Sequence, residues 1–202
     1  MLGKGKANGL QSLEKDLIAA AKEGSVGAFE QLIHQVEKKM LSVAAGLATS
    51  PEEAEDIYQE AMINAFKALP KFRLESQFST WLYRIVVNTA ISYRRKVKNK
   101  LASLISHDKS VYDDNQDSLS NEKFGVNHNP EAQLVNEQLS IAIEQAMRKL
   151  SDKERVAFVL CHQQEFKICD AAEVMSSSQG TVKSYLFRAR EKMRTELHAF
   201  MR

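Results

Sequence analysis

Residues 168–194 read ICDAAEVMSSSQGTVKSYLFRAREKMR, and the architecture is worked out from here. The spacing predicts a short helix over Ile168–Met175, a polar turn at Ser176-Ser177-Ser178, and then a long helix. Val182, Leu186, Ala189, Met193 and Leu197 recur at steps of three and four, so they lay one apolar stripe along that last helix. A short helix, a turn and a longer basic helix follow the grammar of a helix-turn-helix. The major groove of DNA admits one α-helix, which needs small or polar outward residues early and cations close by. Thr181, Lys183, Ser184, Phe187, Arg188 and Arg190 form that outward set. Arginine bonds bidentately to guanine or phosphate, while lysine and serine more often position against phosphate. A plain amphipathic helix with cations at the negative end of its dipole is the competing explanation.

Upstream, helical periodicity continues. Ser151-Asp152-Lys153-Glu154 is a capping box opening a helix that carries Val156, Val159 and Leu160. Before it, Leu134, Leu139, Ile143, Met147 and Leu150 keep helical register. Residues 101–130 lack a sustained apolar period and are rich in Ser, Asp and Asn, the composition of a partly or wholly disordered linker. N-terminal to the linker, Val26, Phe29, Leu32, Ile33, Val36, Met40, Val43 and Leu47 form one stripe, predicted as a single helix. Ser50-Pro51-Glu52-Glu53 reads as a helix start, with Ser50 capping, Pro51 at the first helical position and Glu53 closing a second capping box. Ala54, Ile57, Ala61, Ala65 and Leu69 continue that helix until Pro70 stops it. A further helix carries Phe78, Trp81, Leu82, Ile85 and Val86 into a basic end at Arg94-Arg95-Lys96, and a first helix over Leu13–Lys22 is expected to pack on these. The fold class is therefore all-α, with two small helical domains on a flexible linker and a helix-turn-helix in the second. The expected bounds are 10–98, 99–130 for the linker, and 131–202.

Composition narrows the function classes. The 202 residues are 44% hydrophobic and 7% aromatic, with 8 Gly and 3 Pro, which disfavours a turn-rich β fold. No apolar run approaches the ~20 residues of a membrane span, and no apolar secretory segment opens the chain. Two cysteines without framework spacing point to a reducing cytoplasm. The formal net charge is only +2, yet residues 67–100 carry 9 basic and 1 acidic side chain and residues 176–202 carry 6 and 2. Polyanions respond to local charge, because the field decays over ~8–10 Å. Two basic footprints with acidic surface between them suggest two contacts on a nucleic acid.

The second footprint mixes cations with rings: Phe78, Trp81, Tyr83, Arg84, Asn88, Arg94 and Arg95. Unpaired DNA is held by this mixture, with aromatic walls for bases and cations for phosphates, at ~1–3 kcal/mol per stacked base. Aromatics at helical spacing are also usual core residues, so Trp81 stands open between core and DNA, whereas Leu82 and Ile85 are core. Cys161, His162 and Cys169 lack a zinc-pair spacing and an evident fourth ligand, so the cysteines are read as buried and no metal or cofactor is expected. No Walker A loop, HExxH or Gly-rich dinucleotide turn is present, so no catalytic residues are assigned.

Residues 52–70, EEAEDIYQEAMINAFKALP, and 76–95, SQFSTWLYRIVVNTAISYRR, resemble the second conserved region of bacterial RNA polymerase sigma factors of the extracytoplasmic-function group. Residues 150–194 resemble that group's fourth region. The resemblance implies a sigma factor that brings core RNA polymerase to promoters and helps open DNA. By position, Asp56, Gln59 and Glu60 match the polar contact with the clamp helices of the polymerase's largest subunit. Phe78 and Asn88 match the pocket for a flipped −10 base. Trp81, Tyr83 and Arg84 match the strand-opening helix, and Arg94 and Arg95 its basic continuation. Lys183, Ser184, Phe187 and Arg188 match the −35 reading face. The implied partners are the clamp helices and flap of the polymerase, duplex and single-stranded promoter DNA, and an anti-sigma factor that holds the chain inactive, with no membrane insertion of its own. Two turns depart from the family pattern, where glycine is common: Glu165, and the serines at 176–178. A residue other than glycine resists positive φ. The rival is a conventional dimeric helix-turn-helix regulator, which binds a two-fold symmetric operator without polymerase.

Overall fold

The computed structural model describes residues 4–107 and 130–200, so most of the expected linker lies outside the described residues. Nine α-helices are described: α1 (Lys4–Lys22), α2 (Val26–His34), α3 (Glu37–Leu47), α4 (Pro51–Ala68), α5 (Phe78–His107), α6 (Pro130–Arg148), α7 (Asp152–Phe158), α8 (Ile168–Val174) and α9 (Gln179–Glu196). Short 3-10 turns follow α4 and α9, a π turn over Val159–Gln163 follows α7, and the described residues hold no strand. The fold is all-α, and its contacts divide the chain into residues 1–90 and 91–202. Among the described residues no helix is long and apolar enough to cross a membrane.

In the first unit the apolar stripe of 26–47 is interrupted. The Val36 amide reaches back to the Ile33 carbonyl at 2.9 Å, and the Val36 carbonyl then accepts from Lys39 and Met40 to start α3. Periodicity showed a buried face but not that its halves have different main neighbours: α2 packs chiefly on α1 and α3 on α4. Ser50 caps α4 by accepting from the Glu53 amide at 3.1 Å, with Pro51 in the first turn. The Glu53 carboxylate, however, accepts from the Thr49 amide at 2.6 Å and from the Thr49 hydroxyl, one residue before the expected partner. Ala54, Ile57, Ala61 and Ala65 are all buried, and the three alanines let neighbouring helices approach the α4 backbone closely. Met40, Val43, Leu69, Leu82 and Val86 complete this core, each at 0% exposure. Phe29 of α2 meets Phe66 of α4 edge-on at 5.2 Å, and the Lys22 ammonium donates to the Phe72 carbonyl at 3.0 Å, tying α1 to the loop before α5.

α5 continues through His107, so residues 99–107 are helical although the linker was expected from 99. That segment, NKLASLISH, contains neither Gly nor Pro, so nothing in it stops a helix.

In the second unit Ala146, Leu150, Val156, Val159, Leu160, Ala171, Val174, Val182, Leu186, Ala189 and Met193 are buried. Ser151 and Glu154 form the full capping box, at 2.9 and 3.4 Å. Ser178 caps α9 by accepting from the Thr181 amide at 3.1 Å. Both turns that depart from the glycine pattern are left-handed: φ is 55° at Glu165 and 48° at Ser176. Left-handed backbone costs an L-residue roughly 1–2 kcal/mol, part of which glycine returns through its freer unfolded chain. Ser176→Gly is therefore expected to raise stability by about 0.5–1 kcal/mol in urea denaturation. A loss of stability on that substitution contradicts a strained turn.

Candidate nucleic-acid interface

The cap at Ser178 directs the start of α9. The Ser178 and Thr181 hydroxyls lie 2.8 Å apart, so Thr181, one of the six expected outward residues, spends its hydroxyl inside the cap and is only part exposed. With Val182, Leu186, Ala189 and Met193 turned into the core, the opposite side presents Lys183, Ser184, Phe187 and Arg188. These four line one shallow open recess. Phe187 is 65% exposed, high for a ring with no covering neighbour. Ser184 donates to the Gly180 carbonyl at 3.0 Å, which keeps its hydroxyl close to the helix and leaves the recess open.

Arg188 is held from two sides. Its guanidinium lies over the Tyr185 ring at 5.2 Å, and its Nε is 3.4 Å from the Glu154 carboxylate of α7. Glu154 is 5% exposed and accepts also from the Lys192 ammonium at 2.7 Å. Burial pushes the Glu154 carboxyl up, but the Lys192 ammonium and the Ser151 amide and hydroxyl outweigh it and hold the group below the usual 4.5. A carboxyl lowered in the folded chain stabilises it fully above its ordinary range and loses that effect as pH falls through the lowered value. The melting temperature of the wild type is thus expected to fall more steeply below about pH 5 than that of Glu154→Gln, which has no proton to take up. Parallel profiles contradict this.

Arg190, the last of the expected outward residues, donates from Nε to His162 Nε2 at 3.0 Å. The acceptor is therefore the neutral imidazole nitrogen, and both burial and Arg190 press the His162 pKa down. The π turn of Val159–Gln163 carries this histidine, whose ring rests 4.7 Å from Phe158. Sequence reading weighed His162 only as a metal ligand and missed this contact, since a π turn leaves no apolar period to read. It also placed both cysteines inside. Cys161 is half-buried, its thiol pushed up by burial, but Cys169 is exposed, because α8 turns Ala171, Ala172 and Val174 inward instead.

The first unit carries the second surface. Phe72, Phe78 and Trp81 form a ring cluster, with Trp81 at 4.9 Å from Phe72 and 5.5 Å from Phe78. Phe78 and Tyr83 lie inside at 3% and 5% exposure, so neither offers a face to a base as the structure stands. Burial pushes the Tyr83 hydroxyl pKa up. Trp81 and Arg84 are part exposed and Asn88 is exposed, and steps of three and four place them along one side of α5. Arg95 is exposed farther along, whereas Arg94 is largely covered, 3.0 Å from the Asp152 carboxylate within the second unit. On α4, Asp56 and Gln59 are exposed and Glu60 part exposed. One turn on lies Ile63, 54% exposed and missed in the sequence. Its position out of phase with Ala54, Ile57, Ala61 and Ala65 was the available signal.

Comparison with known proteins agrees with this layout. The Sigma-70 region 2 family matches residues 32–100, and the Sigma-70 region 4 family matches residues 140–193. The RNA polymerase sigma-H factor of Pseudomonas aeruginosa is 29% identical over 198 residues, covering 95% of this chain and 97% of the relative. Among solved structures, the sigma factor RpoE in complex with the anti-sigma factor NepR from Bartonella quintana matches at a TM-score of 0.62 and 22% identity, over 86% of this chain and 98% of that one. CnrH in complex with the cytosolic domain of CnrY matches at 0.61 and 22%, over 93% and 98%. These two support the fold. The ECF RNA polymerase sigma factor SigW of Bacillus subtilis is 31% identical over 188 residues, 93% of this chain and 98% of the relative. With that likeness along nearly its whole length, and regions 2 and 4 in order on two helical units, the chain belongs to the ECF family of RNA polymerase sigma factors.

Proposed function

We propose that this chain directs core RNA polymerase to its promoters through two separate DNA contacts. The second unit reads duplex DNA at the −35 element with Lys183, Ser184, Phe187 and Arg188. The first captures unpaired −10 bases along Trp81, Arg84 and Asn88, with Phe78 and Tyr83 supporting that side from within and the exposed Arg95 as the basic continuation of the same helix, while Arg94 is held by Asp152. Thr181 and Arg190 border the −35 contact. Asp56, Gln59 and Glu60, extended by Ile63, meet the clamp helices of the largest subunit, and the flap receives the second unit. The domains run 10–98 and 131–202, with α5 reaching His107 into the expected linker at 99–130. The chain acts in the cytoplasm and catalyses nothing itself, since nucleotide addition belongs to the polymerase. An anti-sigma factor restrains it, a reading supported by RpoE, solved in complex with the anti-sigma factor NepR, and by CnrH, solved with the cytosolic domain of CnrY.

The observation that carries this reading is the capped α9, with its core stripe buried and its cationic recess turned outward. Charge and spacing then explain why polymerase is needed. If the two promoter elements lie two helical turns apart, they are ~70 Å from each other. A flexible chain as long as the ~22 residues between α5 and α6 averages only roughly 25 Å end to end, though it reaches ~75 Å when fully extended. Docking on core polymerase fixes the separation and raises the effective concentration of the second contact. Run-off transcription with core polymerase and a promoter library tests the proposal. Initiation confined to templates sharing two spaced elements is expected, and failure on every template despite normal core binding leaves the dimeric regulator ahead.

A further inference from the structure

Glu154 sits where a capping residue suffices to explain it, yet its carboxylate does more than cap. One oxygen, Oε2, accepts from the Ser151 amide at 2.9 Å and the Lys192 ammonium at 2.7 Å, while Oε1 faces Arg188 Nε at 3.4 Å. The carboxylate is thus shared between the helix it caps, α7, and two cations a single turn apart on α9. Both cations remain reachable from outside: the Arg188 side chain is 55% exposed and that of Lys192 43%, against 7% for Glu154. An arginine held at Nε keeps its two terminal amino groups directed away from the anchor, and stacking on Tyr185 restricts the plane of the fork. Lys192 is restrained as well, since its ammonium also donates to the Lys149 carbonyl at 3.4 Å.

We infer that Glu154 is a positioning residue for promoter discrimination, holding Arg188 in one orientation beside the recess and keeping Lys192 from adding a sequence-blind phosphate contact. The inference rests on α9 being the −35 reader. Its physical content is a trade between two kinds of contact. Phosphate contacts strengthen binding to any sequence and steepen its salt dependence, whereas an oriented guanidinium discriminates bases. A buried carboxylate neutralising two cations suppresses the first and aids the second.

The test uses holoenzyme assembled from core polymerase and the full chain, with wild type, Glu154→Gln and Ser151→Ala compared on a promoter fragment and on the same fragment with its −35 element scrambled. Glutamine still suits the third helical position of a capping box, so Glu154→Gln removes charge while keeping the cap. For this variant the ratio of promoter to scrambled affinity is expected to fall about tenfold, a discrimination within reach of one well-placed arginine. Affinity for the scrambled fragment should rise, and the slope of log affinity against log salt should steepen by ~0.9 for each cation freed. Ser151→Ala removes the capping hydroxyl but keeps the Ser151 amide and the Lys192 ammonium on the carboxylate, so it should lower the melting temperature and leave ratio and slope nearly unchanged. Equal losses on both fragments for Glu154→Gln, or the same pattern from Ser151→Ala, assign Glu154 a purely structural role and overturn the inference. A wild-type holoenzyme that binds both fragments alike overturns the −35 reading itself, and the inference with it.

Discussion

Replacing Arg188 with alanine is expected to cut −35-dependent initiation by about ten- to a hundredfold, the discrimination one well-made bidentate base contact supplies. Few other exposed side chains on α9 are so prepared. Its guanidinium is fixed between the Tyr185 ring and the Glu154 carboxylate and still borders the recess with Lys183, Ser184 and Phe187. Preorganisation of this kind removes part of the ordering cost that a free arginine meets on binding. The comparison is run-off transcription from a promoter and from the same promoter with its −35 element scrambled. Arg188→Ala should reduce the first and leave the second nearly unchanged. Arg188→Lys should fall between, because it keeps the charge and loses the planar fork. Equal reduction on both templates contradicts base reading by this residue.

The second large effect lies in the first unit. Leu82 is fully buried, on the side of α5 that packs into the core beneath Trp81 and Arg84. Leu82→Ala should cost about 2–5 kcal/mol through lost burial and the cavity left behind. Against a typical total of ~5–15 kcal/mol, that is enough to threaten the unit. Trp81 is the chain's single tryptophan and rests against Phe72 and Phe78, so its fluorescence reports this unit alone. Denaturant unfolding followed at Trp81 should shift strongly for Leu82→Ala and hardly at all for Leu41→Ala, whose side chain is 41% exposed. Similar shifts for the two contradict the core assignment.

How far the sequence could be read depended on whether a feature is local. The stripe of α4, the Ser151–Glu154 box and the inward side of α9 need only neighbours three or four residues away, and each stands as expected except Leu197, which follows the end of α9 and is part exposed. The break between α2 and α3 was hidden because both halves share one apolar phase, and only their separate packing partners divide them. Phe78 and Tyr83 carry the same residue types as a base-stacking wall, and nothing short of the fold shows that the loop ring Phe72 helps close Phe78 in or that Tyr83 is covered. The ties of Glu154 to α9 and of Arg190 to His162 span 38 and 28 residues, and such contacts leave no trace in spacing. The strained turns were the opposite case. The family resemblance marked them, at Glu165 and across the serines at 176–178, and Glu165 and Ser176 are left-handed in the fold.

What separates a polymerase-dependent sigma factor from a self-sufficient operator binder is protection of promoter DNA by the purified chain, measured with and without core polymerase. Two spaced patches of protection should appear only when core is present, with unpaired bases confined to the downstream patch. Strong sequence-specific protection by the chain alone, over a two-fold symmetric site, would contradict the two-contact scheme.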